Sequence, residues 1–213
     1  MLNLKTVHSE LDEQGWSRQI GSVSELQGLI RRSGSFQALY GAAGQERVLV
    51  PYEAEKAPPR SLSAVYGLGA QPLHSDGAHL RNPPDIVVLH SALPTPTATI
   101  VWKAMRQGQD ALPVAAANGV FAVRGNGESF LAVSRTPERL RFDPVVMSPG
   151  DAYARQTVEY FAAARIRAHV HEWDEADLLL FIDNRRALHA RNEATDAETR
   201  RVTRLAYRRA GDE

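Results

Sequence analysis

The chain of 213 residues contains no cysteine. This absence excludes disulfide bonds, thiolate metal sites and cysteine nucleophiles, so histidine, aspartate and glutamate are the side chains left to hold a metal ion. The chain also has no excess of one charge, since 25 basic residues balance 25 acidic residues. That balance gives no electrostatic reason to expect binding to nucleic acid or to a membrane surface.

A third absence is that of long hydrophobic runs, because no apolar stretch approaches the length of a membrane span. The first residues, with Lys5, Glu10 and Asp12, lack the charged-then-apolar order of a signal peptide. We therefore expect a cytoplasmic protein. With 43% hydrophobic residues, the chain can bury one substantial core, which predicts a single domain over residues 1–213 with a helical N-terminal portion at about 1–60.

Beyond that portion, short apolar runs alternate with glycine, proline and aspartate, a pattern typical of antiparallel β-structure. The sequence predicts a mostly β fold with flanking helices (α+β), built as a double-stranded β-helix or jelly-roll barrel. A capping box at Ser22 predicts a helix that ends at Gly34, and Pro149 is placed in the first turn of another helix. Flexible connections are expected at 53–59 and 94–97, and strands at 47–51, 86–90, 119–124, 130–134, 166–173 and 178–182.

The most informative feature is His74-Ser75-Asp76, followed far along the chain by His189. Residues i and i+2 of an extended strand project from the same face, so His74 and Asp76 can bind one ion together. Two imidazoles and one carboxylate form the facial triad that holds non-haem Fe(II) and leaves coordination positions open. An H-x-D pair is weak evidence alone, and its surroundings decide its meaning.

Around these residues the chain reads H-S-D-G, a short turn, Pro83-Pro84 and then an apolar strand, and residues 183–191 read D-N-R-R-A-L-H-A-R. Both segments, in this order, resemble the taurine dioxygenase-like and clavaminate synthase-like family of Fe(II)/2-oxoglutarate-dependent oxygenases. The resemblance implies that His74, Asp76 and His189 bind the metal.

The same resemblance places Arg200 where the family has its cosubstrate-binding arginine. The distal carboxylate of 2-oxoglutarate needs a charge partner, and a bidentate guanidinium suits it best. Arg204 follows where a second arginine of the family meets either the cosubstrate or an anionic substrate. Thr99 is similar to the threonine whose hydroxyl supports the cosubstrate carboxylate. A basic, solvated tail is the simpler alternative for the two arginines.

Other side chains have competing interpretations. His79 falls where the family often places a side chain over the substrate, although a hydrogen-bonded turn histidine is equally compatible with the spacing. Tyr66 is assigned either to the substrate pocket or to the core. His169-x-His171 could bind a metal on a strand face, and a partly exposed pair is the commoner case. Asp183 and Asn184 are expected to fix the turn that presents His189.

The family resemblance implies an enzyme that uses Fe(II), 2-oxoglutarate and O2. Such an enzyme hydroxylates an unactivated C–H bond of a small molecule, for example an amino acid or a natural-product intermediate, and releases succinate and CO2. Desaturation, ring closure and demethylation are related outcomes. Because Asp76 is present, halogenation is disfavoured, since halogenases of the family replace this carboxylate with a small residue.

The chain is shorter than expected for the family between Asp76 and His189, where relatives carry lid loops. This predicts a comparatively open pocket for a bulky or carrier-tethered small molecule, or a pocket closed by a partner subunit of a homodimer. Two other classes stay open. One is a jelly-roll metal enzyme without redox chemistry, a hydrolase or isomerase type with zinc or manganese, which would not need Arg200. The other is a non-catalytic binding protein that has kept the barrel.

Overall fold

A computed structural model of the chain describes residues 2–39, 46–105, 107–125 and 127–210. The fold is mostly β, with antiparallel strand pairs and a few helices. The strands are β1 (Trp16–Ile20), β2 (Phe36–Ala38), β3 (Arg47–Leu49), β4 (Ile86–Ser91), β5 (Thr95–Lys103), β6 (Val120–Arg124), β7 (Ser129–Val133), β8 (Met147–Pro149), β9 (His169–Trp173), β10 (Leu178–Asp183), β11 (Ala187–Arg191) and β12 (Val202–Arg209). The helices are α1 (Leu4–Gln14), α2 (Val23–Ser33), α3 (Leu62–Tyr66), α4 (Val114–Asn118) and α5 (Ala152–Ala164), with short 3-10 helices at Ala54–Lys56 and Arg165–Arg167.

Two main sheets face each other across a shared apolar core. The larger has the order β1-β10-β4-β12-β2, with β3 also pairing with β12, and the smaller has the order β11-β5-β9. Side chains from both sheets, such as Leu180, Val101 and Trp173, form the core between them. Because neighbouring residues of a strand point to opposite faces, Ile100 packs on the other side, against α5 and the third sheet, which has the order β7-β6-β8.

The outer faces of the two main sheets are covered by helices. Leu11 of α1 and Leu26 of α2 pack on the larger sheet, and Phe161 of α5 packs on the smaller one. Each of these helices has a side-chain cap at its start, and α2 has the predicted cap, since Ser22 accepts from the backbone N–H of Glu25. Among the described residues, no helix combines the length and the apolar character that a membrane crossing requires.

Several local expectations need correction. The 94–97 segment, predicted as a flexible connection, belongs largely to β5, because its threonines are buried in the smaller sheet and Thr95 pairs with Trp173. Pro149 ends β8, and α5 begins after the N-cap Asp151 instead. The N-terminal portion at 1–60 contains strands as well as helices. Residues 165–167, in part assigned to a strand, form a 3-10 turn before β9.

Candidate metal centre

The fold brings His74, Asp76 and His189 together. His74 pairs with β11 through two backbone hydrogen bonds, in which His74 N donates to His189 O and His189 N donates to His74 O, both at 2.9 Å. Such a close antiparallel bridge puts the two side chains next to each other on one face. Their imidazole centroids lie 4.4 Å apart.

The three side chains offer ligand atoms to one point. His189 Nε2 lies 3.5 Å and His74 Nε2 lies 3.9 Å from Asp76 Oδ1. One ligand atom from each residue lies within 4.8 Å of the others, and no other His, Asp or Glu group of this kind occurs in the part of the chain that the structure describes. Two imidazole nitrogens and one carboxylate oxygen are the donor set that non-haem Fe(II) prefers.

The protonation of His74 suits coordination. Its Nδ1 lies 3.1 Å from Pro72 O, and because a carbonyl oxygen only accepts, the ring proton sits on Nδ1 and the Nε2 lone pair faces the site. Burial, followed by the neighbouring His189, lowers the pKa of His74 to about 4, although Asp76 opposes this effect. The imidazole is therefore neutral at physiological pH, the form that binds metals.

Asp76 is held as a carboxylate by an arginine that the sequence assigned to cosubstrate or substrate. Arg204 Nε pairs with Asp76 Oδ2, while Oδ1 faces the two imidazoles. Burial alone would raise the pKa of Asp76, but the charge of Arg204 and the hydrogen bond with His189 hold it well below its usual range. The carboxylate thus has one oxygen on the guanidinium and one available to an ion.

Asn184 positions this carboxylate, not the distal histidine. Its Oδ1 accepts from Asp76 N at 2.8 Å, and its Nδ2 donates to Asp76 O at 3.0 Å and to Pro84 O at 2.8 Å. The expectation that Asn184 fixes the turn before His189 is therefore corrected: its side chain reaches across to the H-x-D segment. Gly77 has a φ of +69°, and an added Cβ there would lie 2.9 Å from Pro84 Cδ, which explains the glycine in this turn.

A cavity of about 520 Å³ opens onto the three residues, and Arg200, Thr99 and Arg204 line it. Arg200 is 5% exposed, and its Nε has no hydrogen-bond partner among the described residues. Burial, and then the charge of Arg191, lowers the pKa of Arg200 to about 10, with Asp196 opposing. A buried guanidinium with unused donors is a ready binding site for an anionic group.

Thr99 is also prepared to donate. Its Oγ1 accepts a hydrogen bond from Trp173 Nε1 at 3.1 Å. Since the indole N–H can only donate, the threonine hydroxyl proton is free to point elsewhere. Thr99 pairs with Arg191 in the register of β5 and β11, two residues from the pair of Val101 and His189, so its side chain shares the face of the metal ligand.

His79 and Tyr66, the two candidate substrate residues, differ in their position relative to the cavity. His79 is half-buried and lines the cavity, and burial lowers its pKa, with further effects from Asp76, Arg204 and Arg60. Tyr66 ends α3 and is not among the cavity-lining residues. Burial, and then the nearby Asp143, raises the pKa of its phenol. Tyr66 therefore lies near the cavity residue Asp143, and its assignment to the substrate pocket or to the core stays a prediction.

Asp143 is a cavity residue that the sequence did not indicate. Ser75 N donates to Phe142 O at 2.7 Å, and this contact brings the following residue to the metal ligands. Burial, opposed by the N–H groups of Val145 and Val146, raises the pKa of Asp143 to about 6. Its surroundings in the sequence resemble an ordinary turn, and only the contact with Ser75, 67 residues away, places it here.

The alternative H-x-H site does not form in the described residues. His169 stacks on Trp16, His171 is buried against the edge of Trp173, and Glu172 is exposed on the other face of β9. Burial, and then the charge of Arg18, lowers the pKa of His171 to about 4. This side chain is therefore a packed core histidine, and no group of metal-binding side chains surrounds it in the described parts of the chain.

No protein-family model and no curated protein matches the chain. Solved structures do match. The chain resembles the asparagine oxygenase AsnO (TM-score 0.60, 21% identity, 79% of this chain and 56% of that chain) and PvcB from Pseudomonas aeruginosa (TM-score 0.66, 18% identity, 97% and 80%). It also resembles the non-heme iron oxygenase OrfP in complex with iron and α-ketoglutaric acid (TM-score 0.67, 16% identity, 96% and 78%).

These similarities show that the chain shares the fold of these oxygenases. The OrfP structure contains iron and α-ketoglutaric acid, and PvcB is described as an iron- and α-ketoglutarate-dependent oxygenase. The chain spans 56% of the length of the AsnO chain, so an activity of the whole relative is not transferred by the fold alone. What this chain does is argued below from its own residues.

The clamp formed by Asn184 predicts a loss of metal affinity in Asn184→Asp. The new carboxylate keeps an acceptor for Asp76 N, but it cannot donate to the carbonyls of Asp76 and Pro84 and is repelled by them. We expect the affinity for Co(II), measured by absorption titration, to fall by about 10- to 100-fold, the usual cost of disturbing a residue that orients a ligand. Asn82→Asp, the same change at an exposed position, should leave the affinity unchanged, and equal affinities for all three proteins would contradict the role of Asn184.

The low pKa of His171 predicts acid sensitivity. The folded protein keeps this imidazole neutral down to about pH 4, whereas the unfolded chain takes up the proton below about pH 6.5, so stability is complete above pH 6.5 and is lost as the pH falls. Between pH 6.5 and pH 4, the free energy of unfolding, measured with denaturant, should fall by about 3 kcal/mol less in His171→Gln than in the wild type. His169→Gln, exposed on the same strand, should follow the wild type. Parallel pH profiles for all three proteins would refute this explanation.

Proposed function

We propose that this protein is a non-haem Fe(II)- and 2-oxoglutarate-dependent oxygenase that hydroxylates a small molecule of the amino-acid type. The observation that carries the proposal is the meeting, in one cavity, of a His-His-Asp donor set with a buried arginine whose guanidinium has an unused donor. A metal site alone would be compatible with many chemistries. The buried Arg200 adds a place for a second anionic compound beside the metal.

The metal residues fit Fe(II) by their chemistry. His74, Asp76 and His189 would hold the ion, with a neutral imidazole at His74 and an ionised carboxylate at Asp76. When bound, iron and 2-oxoglutarate together supply the oxidising chemistry with O2 and release succinate and CO2. The protein's own task is to place the groups and to exclude water. Burial of both imidazoles, at 8% and 6% exposure, supports that task.

The cosubstrate would be held at its distal carboxylate. Arg200 offers a guanidinium that is already desolvated, and Thr99 offers a hydroxyl proton that Trp173 leaves free. A carboxylate placed between them gains charge-assisted hydrogen bonds in a low-dielectric environment, where such bonds are strongest. The pKa of Arg200, lowered to about 10, still leaves it charged at physiological pH. Asp196 offsets part of its cost of burial, and a bound anion would offset more.

The substrate class follows from the charges around the rest of the cavity. Asp143 forms no ion pair among the described residues, and its raised pKa reflects a carboxylate in need of a cation. His79, Arg60 and Arg124 supply basic groups to the same cavity, and Arg60 has a φ of +62°, a conformation that is strained for a residue other than glycine. A zwitterion matches charges of both signs, with an ammonium or guanidinium toward Asp143 and a carboxylate toward the arginines.

Other observations support the same proposal. The facing antiparallel sheets and the approach of His74 to β11 are compatible with a jelly-roll barrel, in which distant strands line one opening. The structures of AsnO and OrfP include complexes titled with hydroxyasparagine and hydroxyarginine, which are products of the proposed type. A hydrolase or isomerase with zinc at the triad would have no use for Arg200. Carrier tethering, a homodimer and a cytoplasmic location stay predictions.

The role of Arg200 predicts that Arg200→Ala loses cosubstrate binding. Anaerobic titration of the wild type with Fe(II) and 2-oxoglutarate should give a weak visible charge-transfer band. In Arg200→Ala, the apparent affinity for 2-oxoglutarate should fall at least about 100-fold, because truncating one partner of a buried charge pair costs several kcal/mol.

Arg201→Ala is the matched control for this titration, since the neighbouring side chain is exposed and its guanidinium donates to the backbone carbonyl of Arg200. It should bind 2-oxoglutarate as the wild type does. Absence of the band in the wild type would remove the oxygenase proposal. A band of equal strength in Arg200→Ala would remove the assignment of Arg200.

The role of Asp143 is tested by substrate-dependent succinate formation. A panel of amino acids should stimulate succinate release by the wild type above the rate without substrate, and cationic or amide side chains should be among the effective compounds. Asp143→Asn should raise KM for the best compound at least about tenfold, the loss expected for a charge-assisted hydrogen bond. The affinity for 2-oxoglutarate should not change. An unchanged KM would show that Asp143 does not bind the cationic group of the substrate.

A further inference from the structure

A second cleft, of about 930 Å³, lies apart from the metal cavity and is the larger of the two. Basic side chains dominate its lining. Arg185 and Arg186 come from the turn after β10, Arg208 and Arg209 from the end of β12, and Lys103, Arg135 and Arg139 complete the set. The acidic residues in the described lining are Asp85 and Glu138. The formal charge of the whole chain is zero, so this concentration of cations is local.

Two buried carboxylates gather most of these arginines. Asp85, 4% exposed, pairs with Arg139 at 2.9 Å and lies 3.7 Å from Arg208. Asp183, with no exposed area, pairs with Arg209 at 3.1 Å and lies 3.6 to 3.8 Å from the two arginines of the turn.

Exposed Asp12 also contacts Arg209 and Arg186 at the edge of the cleft. Among the described lining residues other than Arg185, six are basic, and they face four acids when Asp12 and Asp183 are counted with Asp85 and Glu138. In the described part of the cleft, the buried acids thus fix the guanidinium groups in place and leave an excess of basic groups. A concave surface of one sign focuses its field and attracts ions of the other sign.

The cleft lies at the opposite end of the same strands that build the metal centre. In β12, Arg204 meets Asp76 while Arg208 lines the cleft, and in β5, Thr99 lines the metal cavity while Lys103 lines the cleft. Four residues of a strand span roughly 13 Å. A molecule in the cleft would therefore not compete for the metal or for the proposed cosubstrate position.

We propose that this cleft is a binding site for a small organic polyphosphate, of which a nucleoside triphosphate is the type. A guanidinium group in a fixed orientation can donate two parallel hydrogen bonds to phosphate oxygens, and Arg is the residue best suited to this recognition. The cleft also presents Met105, Leu112 and Leu140, an apolar side against which the organic part of the ligand packs. Its volume is in the range of sites for small ligands.

The test uses calorimetric titration of the full chain, without added divalent cations, with ATP, inorganic tripolyphosphate and inorganic phosphate. The wild type should bind ATP and tripolyphosphate at least tenfold more tightly than phosphate, and the affinity should fall with added salt. The double change Arg135→Glu with Arg186→Glu alters two exposed side chains and should weaken ATP binding at least tenfold. Arg124→Glu makes the same kind of charge reversal at the mouth of the metal cavity and should change ATP affinity less than twofold.

Each contrary result is distinct. ATP binding no tighter than phosphate binding would overturn the site. A loss in Arg124→Glu equal to that in the double variant would show that ATP responds to overall charge or to the metal cavity. Tighter binding of a polyglutamate peptide than of ATP would assign the cleft to an acidic protein and overturn the small-molecule proposal. If the double variant does not fold, Arg135→Glu alone, for which a threefold loss is expected, decides the same question.

Discussion

The pair of backbone hydrogen bonds between His74 and His189 is the constraint on which the site depends. It joins the segment before β4 to β11 and thereby sets the separation of the two imidazoles before any ion is bound. Neither side chain contributes to this pairing, since it uses only main-chain N–H and C=O groups. The third metal-binding side chain, that of Asp76, is positioned by Asn184, whose amide forms hydrogen bonds with both the N–H and the C=O of Asp76. The metal geometry is thus set by the backbone, and the side chains complete it.

Burying this many charges is favourable only if each has a partner. Asp76 has Arg204, Asp85 has Arg139, and Asp183 has Arg209. Arg200 lines the metal cavity, is 5% exposed, and its Nε finds no partner in the described structure. An incompletely satisfied buried cation lowers stability unless an anion binds beside it. The same reasoning applies in reverse to Asp143, a cavity carboxylate with no ion pair among the described residues, so these two side chains mark the two ends of the proposed ligand set.

Much of this was readable in the sequence because the determining interactions are local. The order of H-x-D, D-N-R-x-x-L-H-x-R and the later arginines predicted the triad residues that the structure brings together, and Ser22 and Gly34 predicted the ends of α2. The features that the sequence did not predict correctly depend on contacts between segments that are distant in the chain. Prolines at 94 and 96 suggested a loose connection, but the threonines between and after them are buried in β5 by β9 and by Asp196. Asp143 had no signal at all, since a hydrogen bond from Ser75 brings its segment to the site.

The strands that carry the metal centre also carry the basic cleft, and this arrangement follows from how a sheet is built. A strand buried in the middle has its polar residues at its ends, so β12 places Arg204 at one end and Arg208 and Arg209 at the other, with Leu205, Ala206 and Tyr207 buried between. Asp183 and Asn184 are adjacent residues at the end of β10, and each contacts a different one of the two polar sites. Asp183 turns toward the arginines of the cleft, while Asn184 turns toward Asp76. One tight turn therefore fixes both polar sites, and the apolar core between the sheets keeps them apart.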